Sequence, residues 1–425
     1  VGESPRPIFV AGIEHHALAR FPVPRFERNK PMRSRRTVLS ILAALASSMA
    51  LLASSMAFAG DTIPVRVVTL NVLEGLGAPS DFSAQQTGLF LTTNDSDGPG
   101  PNSGLNPDIV ALQECRSTAN LNAFRDAYLP GYQMVRVSFG DAGGNFQAFF
   151  VRPDYVILDE DSYGIGGPRP MLRITVEIPG AAKTLTLYNS HFKAFGDSSS
   201  QAQRRTNAQE SGIEVWRDRN QGLDLDDNFS RETPIGNQIY LGDLNSNNNF
   251  DTTLDGLFTN VANSQPTGLL NLPVETLAGR AIGGSPRIAT FPGSSSRLDY
   301  ICLDEELAAR FDANGDLQFD QDEINSMGFV YYSQEDSSLS NGSTSATTFA
   351  SDHRPVVFDV LLEATPVANC PGDTNGDNLV NFTDLNAVLA DFGLSAAGLA
   401  GDVNDDGVVN FTDLNEVLAN FGSGC

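Results

Sequence analysis

Between Pro64 and Glu363 the apolar residues come in short runs, not at helical spacing, and the runs are stopped by Gly, Asn, Asp or Pro. Runs rich in Val, Ile, Leu, Phe and Tyr that end on such breakers predict strands. They fall at 65–72, 108–114, 132–138, 146–152, 171–178, 184–191, 238–241, 297–303, 328–332 and 355–362. Helical stretches are fewer: 119–128, and 199–218, where Ile213 and Trp216 are the apolar positions of an otherwise polar segment. A Gly/Pro/Asn-rich stretch (94–106) and a Ser/Thr-rich one (336–348) read as loops. Many strands with few intercalated helices predict an α+β fold, two sheets packed face to face with helices outside.

The N-terminus breaks this pattern. Met32-Arg33-Ser34-Arg35-Arg36 is a basic start, followed by an apolar run that closes on Ala57-Phe58-Ala59. Residues 32–59 therefore read as a signal peptide and residues 1–31 as a misassigned upstream segment. Ser34 to Leu39 fits a twin-arginine signal, and an ordinary Sec signal fits equally well. Either implies an extracellular or cell-surface protein. No later run is long and apolar enough to span a bilayer.

Removing residues 1–59, which hold eight Lys/Arg and three acids, takes the formal charge from −25 to −30. Such a chain offers polyphosphate no electrostatic footprint and argues against tight duplex binding, though not against local contacts. Export permits disulfides among the 4 cysteines. Cys370 and Cys425 bracket the C-terminal unit and are expected to pair, while Cys115 and Cys302 read as a bridge or as two buried thiols.

Of the 4 histidines, only His191 and His353 lie beyond the leader. Histidine exchanges protons near neutral pH, and both sit at expected strand ends beside carboxylates or amides. Asn71 ends Val-Val-Thr-Leu-Asn and Glu114 ends Pro-Asp-Ile-Val-Ala-Leu-Gln-Glu. Asn189 and His191 follow in Asn-Ser-His. Then come Asp243 and Asn245 in Gly-Asp-Leu-Asn, Asp299 in Arg-Leu-Asp-Tyr-Ile, and Asp352 and His353 in Ser-Asp-His.

In that order these motifs resemble the endonuclease/exonuclease/phosphatase superfamily across residues 65–362. The resemblance implies a DNase I-like four-layer α/β/β/α sandwich and a metal-dependent phosphoesterase. It implies Mg²⁺ (or Mn²⁺) at Asn71, Glu114 and Asp352, with Asp243 and Asn245 handling the attacking water. Asp299 is expected to hold His353 in its cationic form, and His191 to serve the leaving oxygen. Asn-Ser-His is similar to the secreted DNase-like, sphingomyelinase-like and inositol-phosphatase-like branches. Lys193 and Arg354 could bind phosphate or simply face solvent. The paired arginines within 201–205 are expected on a helix exterior.

The chain shifts again after Glu363. A linker (364–369) leads into a unit (370–425) built on two similar repeats. Their oxygen side chains stand at the loop spacing of an EF-hand. These are Asp373, Asn375, Asp377, Asn381 and Asp384, then Asp402, Asn404, Asp406, Asn410 and Asp413. The repeats resemble type I dockerins, implying a small all-α calcium-binding domain and a cohesin-like receptor. A calcium-stabilised cap or surface anchor is the alternative. A third loop inside the core has the same spacing in Asp312, Asn314, Asp316, Gln318, Asp320 and Glu323 (312–323), and reads as a structural calcium site.

The sequence thus predicts a catalytic domain over 60–363. A phosphodiesterase of the nuclease kind is preferred over a lipid or inositol-phosphate phosphoesterase. An idle binding or display protein on the same fold is the competing class.

Overall fold

Burial on both faces decides the architecture. Strands covered on one side alternate apolar and polar residues, whereas most strands here are buried almost throughout, as in a sheet sandwiched between other layers. The computed structural model describes residues 62–92, 104–223, 235–246, 252–275, 289–291, 296–312, 314–316, 318–331, 351–365, 371–376, 379–396, 398–404 and 406–422. The expected signal peptide, the 336–348 loop, Asp377, Cys370 and Cys425 lie outside the described residues.

The chain opens with β1 (Thr62–Asn71), α1 (Phe82–Thr92), β2 (Ile109–Cys115), α2 (Thr118–Tyr128), β3 (Gln133–Arg136) and β4 (Phe146–Val151). Next come β5 (Val156–Tyr163), β6 (Met171–Glu177), β7 (Leu185–His191), α3 (Ser198–Gln221) and β8 (Asn237–Asp243). The third stretch begins with α4 (Asp255–Phe258), β9 (Thr259–Asn260), β10 (Gln265–Pro266), β11 (Leu269–Asn271) and β12 (Asp299–Asp304). It ends with α5 (Glu305–Ala308), α6 (Gln321–Met327), β13 (Gly328–Val330) and β14 (Val356–Glu363), before the tail helices α7 (Phe382–Asp391) and α8 (Phe411–Ala419).

Among the described residues two 6-stranded sheets form, in the orders β13-β14-β1-β2-β4-β3 and β11-β12-β8-β7-β6-β5. Each has one parallel pair in its interior, β1–β2 and β7–β8, and is otherwise antiparallel. Apolar residues of both sheets and of α1 and α2 share one core. Tyr188, Tyr240 and Tyr300 of the second sheet form another core with Ala208 and Val215 of α3.

A polar seam crosses the interior. Asn189 Nδ2 donates to the carbonyls of Leu112 (3.1 Å) and Ala148 (3.0 Å), and Gln113 Nε2 donates to Asn189 Oδ1 at 2.8 Å. Buried amides so satisfied fix how one sheet sits on the other. Asn189 is therefore a stitch between sheets.

Several expectations change. β5 was not foreseen because Asp159-Glu160-Asp161 interrupts its apolar pattern; it is an edge strand whose Asp159 serves Arg173 of β6 at 2.5 Å. α1 shows no apolar stripe in sequence, and its Gly88 lies where a Cβ would meet the Tyr128 ring. The inner face of α3 is made of Ser200, Arg204, Ala208, Ser211, Gly212 and Val215, whereas Ile213 and Trp216 are only half-buried. Arg204, expected on a helix exterior, is fully buried. Cys115 and Cys302 are free buried thiols in separate cores, so no bridge joins them; burial pushes the Cys302 thiol up to about 12.

Ala364 and Thr365, assigned to the linker, still pair with Ala181 and Gly180. In the tail, α7 and α8 pack through Val380, Val388, Val409 and Val417. Among the described residues no helix is long and apolar enough to cross a membrane.

Candidate active site

The two parallel pairs aim their C-terminal ends at one place. Asn71 ends β1, Glu114 stands near the end of β2, His191 ends β7 and Asp243 ends β8. Asp243 pairs with His191 on one side and with Asp299, the first residue of β12, on the other. His353 arrives from the segment just before β14. The ladder between β2 and β4 shifts register after Leu112, and Glu114 takes a left-handed backbone (φ 59°). Such a bulge re-aims one side chain out of the sheet pattern.

Asn71 organises the acids. Its Nδ2 donates to Glu114 Oε1 (3.1 Å) and to Asp243 Oδ2 (3.0 Å), while its Oδ1 accepts from the Leu73 N–H at 3.0 Å. The Asn245 N–H donates to Asp243 Oδ1 at 3.0 Å, so both oxygens of Asp243 are oriented. Asn245 itself (φ 52°) donates from Nδ2 to the Phe192 carbonyl at 3.2 Å. Gly242 has no alternative at its position. Its φ is 132°, and a Cβ there would lie 2.0 Å from the Ser190 carbonyl oxygen.

The two histidines differ in charge. His353 Nδ1 lies 2.7 Å from Asp299 Oδ2. Burial opposes a charge on this ring, but the Asp299 and then the Asp243 carboxylates overcome it and raise its pKa to about 10. His191 is driven well below its usual value, first by burial and then by Arg169, His353 and Lys193, so its ring is neutral. Burial likewise raises Asp243 to about 7, against the nearby His353 charge.

Glu114, His191 and Asp243 place one ligand atom each within 4.8 Å of one another, an arrangement that suits a divalent ion. Asp243, Asp299 and His353 form a similar group, which their ion pair already accounts for. Asp352, expected as a ligand, stands at the rim with its Oδ1 4.0 Å from His353 Nε2 and outside the trio. Arg354 is buried and donates to the Ala289 carbonyl at 2.8 Å, which rules it out as a surface phosphate binder. Ser351 Oγ donates to the Asn71 carbonyl at 2.6 Å and accepts from the His353 N–H, holding that segment in place.

Sequence reasoning missed Arg169. It precedes β6, whose start abuts the end of β7 in the antiparallel ladder, and it feels the charges of Asp141, Asp243 and Glu114. An arginine just ahead of the strand that pairs with the His191 strand was the available signal.

A profile of the Endonuclease/Exonuclease/phosphatase family matches residues 68–353, a span holding every site residue above. The chain belongs to the endonuclease/exonuclease/phosphatase family. The protein is thus a phosphoester hydrolase, and its paired sheets with outer helices are the DNase I-like sandwich of that family. No curated protein matches the chain by sequence. Among solved structures it is similar to TDP2 from C. elegans (15% identity, TM-score 0.45, covering 82% of this chain and 99% of that one). It is also similar to an endonuclease/exonuclease/phosphatase from Bacteroides vulgatus (16%, TM-score 0.44, 71% and 100%). A third is the human Nocturnin catalytic domain with bound sulfate anion (16%, TM-score 0.43, 71% and 97%).

In the expected calcium loops several of the expected ligand side chains accept backbone N–H groups. Asp384 and Asp413 accept the Asn381 and Asn410 N–H groups (2.9 and 2.8 Å) and complete capping boxes on α7 and α8. In the core loop Asp320 and Glu323 cap α6 in the same way, and Asp312, Asn314 and Asp316 accept loop N–H groups.

Proposed function

We propose that the protein is an exported, divalent-metal-dependent phosphodiesterase of the nuclease kind. The observation that carries the reading is the charge division at one point: a cationic His353 held by Asp299, a neutral His191, and Asp243 raised to about 7. Groups pushed apart in this way assign acid and base roles at neutral pH. Asp243, oriented by Asn71 and the Asn245 N–H, takes the proton of the attacking water. His353 places positive charge against the phosphoryl oxygens. His191, being neutral, serves the leaving oxygen as a hydrogen-bond donor and not as a second cation.

Glu114, Asp243 and Asn71 supply hard oxygen and amide donors that fit Mg²⁺ or Mn²⁺, with His191 adjoining and Asp352 at the rim. When bound, the ion supplies charge neutralisation on the phosphate.

The repeats of the tail support calcium binding there, and the loop over 312–323 supports a structural calcium. The dockerin-like spacing supports attachment to a cohesin-like receptor. The basic-then-apolar leader supports export.

The test is hydrolysis of plasmid DNA, bis(p-nitrophenyl) phosphate and sphingomyelin with Mg²⁺ by wild type and His353→Ala. DNA and the small diester are expected to be cleaved, and His353→Ala to lose that activity. No hydrolysis by wild type under any divalent metal overturns the reading.

A further inference from the structure

Two residues past His191 the chain borders a cavity of about 410 Å³, lined by Asp141, Pro168, Arg169, Lys193, Ser200 and Gln203 among others. In a chain of formal charge −25 it brings two cations together, with Asp141 3.6 Å from Arg169 as the acid at its wall. The α3 N-terminus does not make it positive, because Asp197 already accepts the Ser199 and Ser200 N–H groups. Its character comes from the Arg169 and Lys193 side chains that line it.

At its mouth the segment after His191 is held in an unusual state. Phe195 is 72% exposed and has a left-handed backbone (φ 78°), which a phenylalanine rarely adopts. The fully buried Arg204 fastens it there, donating from Nη1 to the carbonyls of Lys193 (2.9 Å) and Phe195 (2.6 Å). The Lys193 ammonium lies 5.1 Å from the Phe195 ring centroid. A buried guanidinium thus keeps an aromatic ring in water beside an ammonium group.

We propose that Lys193 and Phe195, with the adjoining cavity, form a subsite for the nucleotide next to the scissile bond, Lys193 meeting its phosphate and Phe195 stacking on its base. The proposal rests on the phosphodiesterase reading above and narrows it to single-stranded nucleic acid, since paired bases in a duplex do not offer their faces to a side-chain ring. A ring and a cation side by side match one nucleotide. A membrane surface calls instead for a broad apolar face with a basic flank, whereas here a single ring stands beside a single ammonium group.

The test is fluorescence anisotropy with a labelled single-stranded phosphorothioate dodecamer, which resists cleavage. Phe195→Ala is expected to weaken binding on the order of tenfold, with Phe195→Trp close to wild type. Lys193→Ala is expected to reduce the slope of log affinity against log salt by about 0.7, the loss of one single-strand phosphate contact. A Phe195→Ala affinity within twofold of wild type, or an unchanged salt slope in Lys193→Ala, overturns the proposal. So does release of Phe195→Ala from sphingomyelin vesicles while oligonucleotide binding stays intact, which would assign the ring to lipid. If wild type cleaves no bis(p-nitrophenyl) phosphate, the phosphodiesterase reading fails by itself, and the oligonucleotide data still decide the subsite.

Discussion

Asp299 and His353 meet at 2.7 Å across the line where the two sheets face each other, one at the start of β12 and the other just ahead of β14. Neither strand belongs to the other's sheet. The bond therefore sets a protonation state and a tertiary contact together.

Asp299→Asn removes the charge that raises His353 to about 10. A histidine raised in the folded state contributes stability that is fully present below its ordinary value near 6.5 and is lost as pH rises through about 10. In the metal-free wild type, urea unfolding should show stability falling between those limits, and Asp299→Asn should flatten the slope. Its kcat/KM should drop about 100-fold at pH 8, with the alkaline limb of the rate profile moved down. An unmoved alkaline limb would show that His353 does not act as a cation.

Asp243 shows the opposite side of the same linkage. A buried carboxylate raised to about 7 weakens the metal-free fold as pH climbs from its ordinary value towards 7. Asp243→Asn should thus raise the stability of the metal-free protein at pH 8 by about 1–2 kcal/mol while turnover falls about 1000-fold or more. Thermal melts with and without EDTA check this. Mg²⁺ should raise the wild-type Tm and leave that of the variant nearly unchanged.

Gly242→Ala places a methyl group 2.0 Å from the Ser190 carbonyl oxygen on a backbone at φ 132°. The β7–β8 pair would have to separate beside Asp243. A loss of about 3 kcal/mol or more is expected, read as a lower urea midpoint or as insoluble protein. Wild-type stability in this variant would mean that the two strands are not so closely apposed.

Arg173 is buried against Asp218 at 3.1 Å and Asp159, and Tyr188 Oη donates to Asp218 at 2.7 Å. Arg173→Met leaves these acids without their cation and should cost about 3–5 kcal/mol. Adding Asp218→Leu should return part of that loss. Additive losses in the double variant would argue that the charges are not coupled.

Among the described residues the tail core is four buried valines with Leu385, Leu399, Val403 and Leu414 packed against them, too little to hold a unit of that size without further cross-links or ions. Chelation by EGTA should collapse the dispersion of its NMR signals while the near-UV circular dichroism of the sandwich persists. One cooperative transition of the whole chain would contradict independent calcium-dependent folding.

The site was more legible in the sequence than the elements that support it. Asn71, Glu114, His191, Asp243, Asp299 and His353 converge because their motifs lie at strand ends, and parallel pairs bring such ends together. Arg169 stayed hidden because its role depends on β6 running antiparallel to β7, which is a tertiary fact. Arg204 misled for a related reason: an arginine among polar residues reads as solvated unless carbonyls are known to await it. β5 and α1 were missed because an acidic edge strand and a helix without an apolar stripe carry no periodic signal.

The candidate site residues are divided evenly between the layers. Asn71, Glu114 and His353 come with the first sheet, and His191, Asp243 and Asp299 with the second. The first sheet is completed only when β14 returns from near the end of the core to lie beside β1. A chain still emerging from the ribosome therefore lacks His353, the partner of Asp299, until nearly all of the core has been made, and is expected to be inert towards phosphoesters until then. Recovery of turnover during refolding should accordingly time the last docking event, and any truncation before β14 should yield a harmless protein.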